Sequence, residues 1–336
     1  MAATKKQKFQ GIYMTDRTSI LAADVGGTNA RFAYLTHRPT IGWDVDGFKK
    51  VRVADFDTFE HAMRDFVGEV GEPATKLAIC AAGVVIDNKV KLTNADWTID
   101  GNALRANHGL RHCRVVNDFA AMTRSIPELD DAHFQILKPG TPDADAPIVV
   151  AGPGTGFGVG YLIKQNKGLH VLTTEGGHKS YAPVTDLEVA LLKALQKQCD
   201  YVSLEVVSSG SGLPGVHRAM CEIHGKDYVP LAPGEIAELA IAGDPLCRDI
   251  VDVRACATID AMADLVLVGG AQGGAILAGG VSGRMVDFFK APAPMARFIQ
   301  RGPRTEYMER VPLSLLDNPN APLIGAAALL EDMATL

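Results

Sequence analysis

The sequence predicts an α/β protein of two domains with mixed sheets, and three observations support this fold class. At 336 residues the chain is about twice the length of a typical domain, so two domains that share a cleft are expected. Strand-like and helix-like segments alternate along the chain, as in sheets covered by helices. The segments 23–35 (ADVGGTNARFAYL) and 151–163 (AGPGTGFGVGYLI) both predict a strand, a glycine-containing turn and a second strand. This internal repeat indicates two halves of related design.

The first half predicts several strands and one helix, and the flanking residues mark where each element ends. The helix covers residues 57–68, where Phe59, Met63 and Phe66 recur at helical spacing. Asp87 and Asn88 tolerate positive φ and predict a hairpin turn. The predicted strands are Ser19–Ala23, Arg31–Leu35, Lys50–Ala54, Leu77–Val85, Lys89–Leu92 and Arg114–Asn117.

The second half begins after a proline-containing acidic loop at residues 139–147. It predicts a strand, a glycine-rich turn and a strand, followed by helices, a buried strand and a terminal helix. In order, these elements are Ile148–Ala151, Gly152–Gly160, Tyr161–Ile163, helix Asp186–Gln198, helix Asp249–Val268, the strand within residues 273–285, and helix Ile324–Met333.

Composition and charge exclude several classes of protein. Hydrophobic residues make up 47% of the chain and charged residues 21%, which is typical of a globular protein. A formal charge of −6 argues against a nucleic-acid partner. The longest uncharged run, Leu265–Val281, is too short and glycine-rich for a membrane span, and no apolar signal segment follows the basic N-terminus. The six cysteines form no CxxC pair, so reduced thiols and a cytoplasmic location are expected.

Glycine turns between strands favour a ligand that carries phosphate. Glycine allows backbone N–H groups to approach an anion closely, whereas an ordinary hairpin is the simpler explanation of one such turn. Two similar turns and a third after a buried strand shift the balance towards phosphate. The P-loop pattern is absent, and the GxGxxG match at Gly210, Gly212 and Gly215 does not follow a strand, which argues against a dinucleotide site.

Two polar pairs are candidates for chemistry, and each has a structural alternative. Asn117 and Asp118 follow a short apolar strand, where they predict either a helix cap or a site at the strand end. Glu175 and His178 have the spacing of a helical metal pair, but the two glycines between them disfavour a helix. No cysteine cluster accompanies them, which argues against a zinc site.

Several ordered motifs resemble the bacterial-type glucokinases, which share the actin-like ATPase (ribonuclease H-like) fold. The resemblance runs from about residue 19 to the C-terminus, and residues 1–18 are expected to be a flexible tail. It implies a small α/β domain at 19–128 completed by a C-terminal helix at 320–336, and a large α/β domain at 129–319, with a cleft between them. The motifs are ADVGGTNARFAYL (23–35), VVNDFAA (115–121), AGPGTGFGVGYL (151–162), TEGGHKSYAP (174–183) and GGAILAGGVSGR (273–284).

The resemblance implies a nucleotide site built from three glycine segments. The first comprises Ala23, Asp24, Val25, Gly26, Gly27 and Thr28, the opposing turn Gly154, Thr155 and Gly156, and the segment near adenosine Gly279 and Gly280. Asp24 is expected to hold Mg²⁺ through water. ATP and Mg²⁺ are thus the implied cofactors, with no zinc.

The resemblance also implies a sugar site in which Asn117 and Asp118 both contact the sugar. Asp118 would take the proton from the 6-hydroxyl, and Glu175 and His178 would bind other hydroxyls. Glu205 in SLEVVSSGSGL matches a further sugar contact, against the alternative of a surface glutamate. Asn94 and Trp97 in TNADW match a pattern near the sugar, with a hairpin-edge asparagine and a core tryptophan as the equal alternative.

The expected activity is therefore phosphorylation of D-glucose at its 6-hydroxyl by ATP, which gives glucose 6-phosphate and ADP. The alternatives are a kinase for another hexose or an amino sugar, and a glucokinase that uses polyphosphate. The family also implies a homodimer. No membrane or nucleic-acid partner is expected.

Overall fold

The protein is described by a computed structural model that covers residues 19–70, 74–92, 95–166 and 168–334. The predicted tail at residues 1–18 and the candidate residue Asn94 lie outside the described residues. In chain order the strands are β1 Ile20–Val25, β2 Asn29–Arg38, β3 Gly42–Arg52, β4 Lys76–Ala81, β5 Lys89–Lys91, β6 Thr98–Asp100, β7 His112–Asn117, β8 Phe134–Lys138, β9 Ile148–Pro153, β10 Phe157–Gln165, β11 Gly168–Thr174, β12 Gly274–Leu277 and β13 Leu313–Leu316.

The helices alternate with these strands, as the fold class predicts. In chain order they are α1 Phe59–Val70, α2 Gly101–His108, α3 Asp118–Ser125, α4 Asp186–Leu195, α5 Leu204–Ser208, α6 Leu213–Ile223, α7 Pro233–Ile241, α8 Pro245–Gly269, α9 Val286–Phe289, α10 Pro292–Ile299, α11 Thr305–Arg310 and α12 Ala321–Ala334. No helix in the part of the chain that the structure describes is long and apolar enough to cross a bilayer.

Two large mixed sheets organise the fold and have closely related topology. Sheet 1 has the order β3-β2-β1-β4-β7, and sheet 2 the order β11-β10-β9-β12-β13-β8. In each, three consecutive strands form an antiparallel meander, and two later strands extend the sheet in parallel beyond the first strand of the meander. Sheet 2 ends with β8, which is antiparallel to β13. The shared order confirms the internal repeat, because residues 26–28 and 154–156 each form the turn between the first two strands of a meander.

Hydrophobic cores cover both faces of sheet 1. On one face Phe32 stacks with Phe66 and meets Phe59 at ring-centroid distances of 5.5 and 5.7 Å. The other face packs against α12, whose Leu323 and Leu330 are buried beside Cys80 of β4. A further core joins one face of sheet 2 to α4, α6 and α8.

Helix α3 lies between the two sheets and places its N-terminus in a position to serve both. It follows β7 of sheet 1 directly and packs against α12. It also packs against β10, where the ring of Phe119 lies on the backbone of Gly158. The first residue of α3 is Asp118, so the fold carries this carboxylate to the junction of the two sheets.

Several predicted boundaries are wrong. Strand β3 begins at Gly42, eight residues before the predicted start, and the glycine-rich turn of sheet 2 covers only residues 154–156 because the flanking strands extend into the predicted loop. The hairpin turn itself is confirmed: Asp87 and Asn88 have positive φ, at 51° and 63°, and Ile86 and Lys89 exchange backbone hydrogen bonds across them. The pairing does not extend beyond this bridge, and β5 pairs with β6 instead. The sequence did not predict helices α2, α3, α5, α6, α7, α9, α10 and α11 or strands β6, β8, β11 and β13.

Candidate active site

The carboxyl ends of three parallel strands in sheet 1 bring Asp24 close to the Asn117-Asp118 pair. In the strand register, Asp24 lies beside Cys80 of β4, and Cys80 lies beside Val116 of β7. Because adjacent strands are about 4.8 Å apart, Asp24 lies roughly 10 Å from the end of β7. Ligands of α/β folds bind at this edge of the sheet. The residues predicted to hold Mg²⁺ and to act as base therefore share one edge.

Asp24 is held by Arg31, which lies directly opposite it in the first hairpin. Arg31 Nε donates to Asp24 Oδ2 at 2.7 Å, and a second guanidinium nitrogen bonds the same oxygen. The third nitrogen donates to the carbonyl of Pro319 at 2.6 Å, in the segment that leads into α12. Arg31 thus ties Asp24 to a part of the chain almost 300 residues away.

The cap of α3 is Asn117, which leaves Asp118 available for another role. Asn117 Oδ1 accepts from the backbone N–H groups of Phe119 and Ala120, at 2.9 and 3.1 Å. Its amide donates to the carbonyl of Gly83 at 3.2 Å. Asp118 is the first residue of the helix and is only partly exposed. The pair was predicted to form either a helix cap or a site at the strand end, and Asn117 alone supplies the cap.

The environment of Asp118 disfavours its charged form. Burial and the nearby Asp24 carboxylate raise the pKa of Asp118 to about 6, against the lowering effect of the Phe119 N–H. That N–H donates to Asp118 Oδ1 at 2.9 Å, which orients the carboxyl group. A carboxyl with this pKa is ionised at neutral pH and basic enough to accept a proton during a reaction.

The glycine-containing segments 154–156, 210–212 and 279–281 converge at the turn of sheet 2. Within it Gly154 N donates to Gly156 O at 2.8 Å. Gly210 N donates to Gly154 O at 2.9 Å, and Val281 N donates to Pro153 O at 3.2 Å. A Cβ added at Gly154 or at Gly280 would meet nothing within 4 Å, so the backbone there faces open space. An open, amide-rich surface of this kind fits a polyphosphate chain.

The GxGxxG match is not a dinucleotide fingerprint, because it follows a helix and not a strand. Gly210 and Gly212 lie in the loop after α5, and Gly215 lies within α6. The loop nevertheless contributes to the site, since it supports the predicted phosphate turn. Ser211 donates to Thr155 O through both its backbone N and its Oγ, at 3.1 and 2.8 Å.

Glu205 lies against the same turn, on α5. Its Oε2 accepts from Phe157 N at 2.7 Å. The side chain is partly exposed, so it is not an isolated surface glutamate. Phe157 and Gly158 are consecutive in β10, and Gly158 contacts Phe119 of α3. The predicted sugar residues Glu205 and Asp118 therefore border one short stretch of β10.

Glu175 and His178 lie on a loop that packs on Phe157, and both are exposed. Glu175 precedes a single 3-10 turn, Gly176–His178, and His178 ends it, so the two residues do not form the helical metal pair. The backbone of Gly177 lies so close to Phe157 that a Cβ there would be 2.0 Å from the Phe157 carbonyl oxygen. Tyr201 donates to His178 O at 2.7 Å, and Leu204 N donates to Lys179 O at 2.8 Å, which joins this loop to the start of α5.

Trp97 belongs to the core of sheet 1. It is 3% exposed, packs edge-on against Phe59, and donates from its indole N–H to Phe56 O at 3.0 Å. Of its two possible roles, the core position accounts for all of these contacts.

Arg31 and Ser211 are two residues of the site that sequence reasoning missed. A signal existed for Arg31, because the predicted hairpin places it across from Asp24 once the turn is fixed at residues 26–29. Ser211 had no local signal, since its contact with Thr155 joins segments more than fifty residues apart.

Comparison with known proteins gives one consistent family. A family model described as Glucokinase matches residues 21–333. The glucokinase of Stenotrophomonas maltophilia (strain R551-3) is 37% identical over 319 residues, which cover 93% of this chain and 95% of that protein. A crystal structure of a glucokinase from an Antarctic psychrotroph has a TM-score of 0.84 and 34% identity, covering 94% of this chain and 99% of that one.

A more distant solved structure supports the fold alone. The glucokinase from Balamuthia mandrillaris, crystallised in complex with glucose, has a TM-score of 0.76 at 20% identity and covers 93% of each chain. The fold is the mixed α/β fold of the actin-like ATPases, as the sequence predicts.

Proposed function

The chain belongs to the glucokinase family, and on this premise we propose that it transfers the γ-phosphoryl group of ATP to the 6-hydroxyl of D-glucose. The observation that carries the proposal is the carboxylate of Asp118. Asn117 caps α3 in its place, and the pKa of Asp118 is raised to about 6. It lies between the strand end that holds Asp24 and the stretch of β10 that touches Glu205.

The residues of the two sheets have complementary tasks in this reaction. Glu205, Glu175, His178 and Asn117 bind sugar hydroxyls and orient the sugar. Asp118 accepts the proton of the 6-hydroxyl as the new O–P bond forms, and ADP leaves. The turns at residues 23–28 and 154–156 bind the phosphates through backbone N–H groups, and the segment at Gly279 and Gly280 lies near the adenosine.

Magnesium enters this proposal as a partner of the nucleotide. Asp24 fits the task of holding it through water, because its side chain is 15% exposed and its Oδ1 lies outside the ion pair with Arg31. The ion would neutralise phosphate charge in the transferred group. Among the described residues no cluster of three or more His, Cys, Asp or Glu side chains has the arrangement of a metal site.

The oligomeric state proposed here follows from the family, and the cellular location follows from the state of the cysteines. We propose a homodimer, which light scattering of the purified protein would test. All six cysteines lie within the described residues and none is in a disulfide, which supports a reducing compartment such as the cytoplasm.

A coupled assay tests the activity. With MgATP as donor, kcat/KM for glucose is expected to be about tenfold or more above that for fructose, mannose or an amino sugar, since a site built to pair hydroxyls discriminates strongly. With glucose as acceptor, kcat/KM for MgATP is expected to exceed that for polyphosphate by a similar factor. After removal of metals with chelator, Mg²⁺ should restore the activity and Zn²⁺ should not. Preference for polyphosphate, or for another sugar, would reject the proposal.

Arg31→Met is expected to raise KM for MgATP about tenfold or more, because Asp24 loses the donors that fix its position and small misplacements in a site are costly. The measurement is steady-state kinetics with varied MgATP at saturating glucose. Arg64→Met is the matched control, because it removes an exposed ion pair with Glu60 on α1. Exposed pairs contribute little, so its KM should stay within about twofold of the wild type. An unchanged KM in Arg31→Met would show that Asp24 keeps its place without Arg31.

A further inference from the structure

Arg254, in the middle of α8, is a buried cation whose partners are backbone carbonyls. Its side chain is 5% exposed and donates to the carbonyl oxygens of Val207, Ser208 and Ser209, at 3.1, 3.0 and 2.8 Å. No carboxylate among the described residues pairs with its guanidinium. Burial lowers the pKa of Arg254 to about 10, so the group is still charged at neutral pH.

A buried charge without a carboxylate partner is costly unless other polar groups compensate it. Here three consecutive carbonyls at the end of α5 supply the compensation, and a helix C-terminus carries partial negative charge. The planar guanidinium can bond several oxygens in a fixed geometry. Arg254 therefore fixes the direction in which the chain leaves α5.

The segment that Arg254 holds touches both sides of the proposed site. One turn before the held carbonyls, Glu205 accepts from Phe157 N at 2.7 Å. Directly after them, Gly210 and Ser211 donate to the carbonyls of Gly154 and Thr155. Residues 205–211 thus carry the proposed sugar-binding residue Glu205 at one end and two contacts to the proposed phosphate turn at the other.

We propose that Arg254 is a positioning residue that holds residues 205–211 in the geometry required by the sugar side and the nucleotide side at once. The proposal rests on the roles proposed above for Glu205 and for the turn at residues 154–156. Loss of Arg254 should weaken the binding of both ligands, although Arg254 itself touches neither. Loss of a contact at one end of the segment should weaken one ligand only.

Lys138 provides a matched control. It is 8% exposed, and its ammonium group donates to the carbonyls of Pro139, Glu309 and Val311, at 3.0, 2.7 and 2.9 Å. It is therefore also a buried cation held by three backbone carbonyls. These carbonyls lie beside β8 and β13 and belong to no segment of the proposed site. Lys138→Met removes a comparable buried cation and leaves the site intact.

The test measures binding of glucose and of the magnesium complex of a non-hydrolysable ATP analogue by calorimetry, together with melting temperature. Arg254→Met is expected to weaken both ligands by about tenfold or more, since misplaced ligand groups carry costs of this size. Arg254→Lys should recover part of both affinities. Lys138→Met should lower the melting temperature but keep both dissociation constants within about twofold. Ser211→Ala, at an exposed position, should weaken the nucleotide analogue and leave glucose unchanged.

Dissociation constants like those of the wild type in Arg254→Met, or equal losses in Arg254→Met and Lys138→Met, would overturn the proposal. If Arg254→Met does not fold, Arg254→Lys decides, and unchanged affinities for both ligands in that variant would overturn it. Failure of the wild type to phosphorylate glucose would instead reject the proposed function, so the two failures are distinguishable.

Discussion

Asp118→Asn is expected to lower kcat about 10²–10⁴-fold, the range for loss of a positioned acid–base group. The amide keeps the shape of the carboxyl group and can still accept the Phe119 N–H. It cannot take the proton of the sugar hydroxyl. Glucose affinity should change far less, by about 1 kcal/mol, because one charged hydrogen bond becomes neutral. Steady-state kinetics and glucose calorimetry of the purified variant measure both quantities.

The same variant should be more stable than the wild type above about pH 4, with the full gain reached above pH 6. In the unfolded chain the Asp118 carboxyl releases its proton near its ordinary pKa of 3.8, whereas in the folded protein its pKa is raised to about 6. The folded state therefore binds more protons between these values, and stability falls as pH rises through that window. Removing the ionisable group should recover up to about 3 kcal/mol at pH 8. Melting curves should show the full gain at pH 8 and about half of it at pH 5, because pH 5 lies near the middle of the window between the two pKa values.

The pH dependence of the wild-type reaction follows from the same group. A base must be deprotonated to act, so kcat/KM for glucose should fall as pH drops below about 6, following the raised pKa of Asp118. The residual activity of Asp118→Asn should lack this acidic limb. An acidic limb that persists in the variant would assign it to another group.

Asp100→Asn is the matched control, because Asp100 is a carboxylate at the N-terminus of a helix outside the site. It caps α2 by accepting from the N–H groups of Asn102 and Ala103, at 3.1 and 3.0 Å. These bonds lower the pKa of Asp100, so its charge stabilises the fold at neutral pH. Asp100→Asn should leave kcat unchanged and should not increase stability. If Asp118→Asn keeps more than about a tenth of wild-type kcat, Asp118 is not the base.

The sequence was sufficient to predict the turns of the site but not how they meet. Each glycine segment has a local signal, because strand, glycine turn and strand follow one another in fewer than fifteen residues. The convergence of residues 154–156, 209–212 and 278–281 depends on long-range packing, for which no local pattern exists. The same holds for Arg254, whose partners lie about 45 residues away.

The missed elements also have physical reasons. Strand β3 is an edge strand with many partly exposed charged residues, so alternation of apolar residues is weak over most of its length. Helix α3 has eight residues and begins directly after β7, and this is too short for helical periodicity to be distinguished from the preceding apolar strand. The choice between cap and base at residues 117 and 118 could not be made from sequence, because either side chain can cap a helix.

Gly177→Ala is expected to weaken glucose binding about 30- to 100-fold, because it displaces the loop that carries Glu175 and His178, and misplacement of about 1 Å can cost this much. Gly177 is buried, and an added Cβ would lie 2.0 Å from the carbonyl oxygen and 2.9 Å from the Cβ of Phe157. The Phe157 carbonyl belongs to the backbone of β10 and cannot rotate away as a flexible side chain can. Either the loop at residues 175–178 or β10 must therefore shift. A shift of β10 would also disturb the bond from Phe157 N to Glu205. Overpacking of this kind should cost about 1–3 kcal/mol of stability.

The control for this prediction is Gly68→Ala, on the exposed face of α1. An added Cβ at Gly68 would meet nothing within 4 Å. Because alanine is the better helix former, this variant should gain about 0.5–1 kcal/mol of stability and bind glucose as the wild type does. In Gly177→Ala the affinity for the ATP analogue should fall no more than about threefold, since the loop lies on the sugar side of β10 in the proposed site. Equal losses of affinity for glucose and for the analogue would indicate general misfolding. If Gly177→Ala melts earlier but binds glucose normally, residues 175–178 do not bind the sugar.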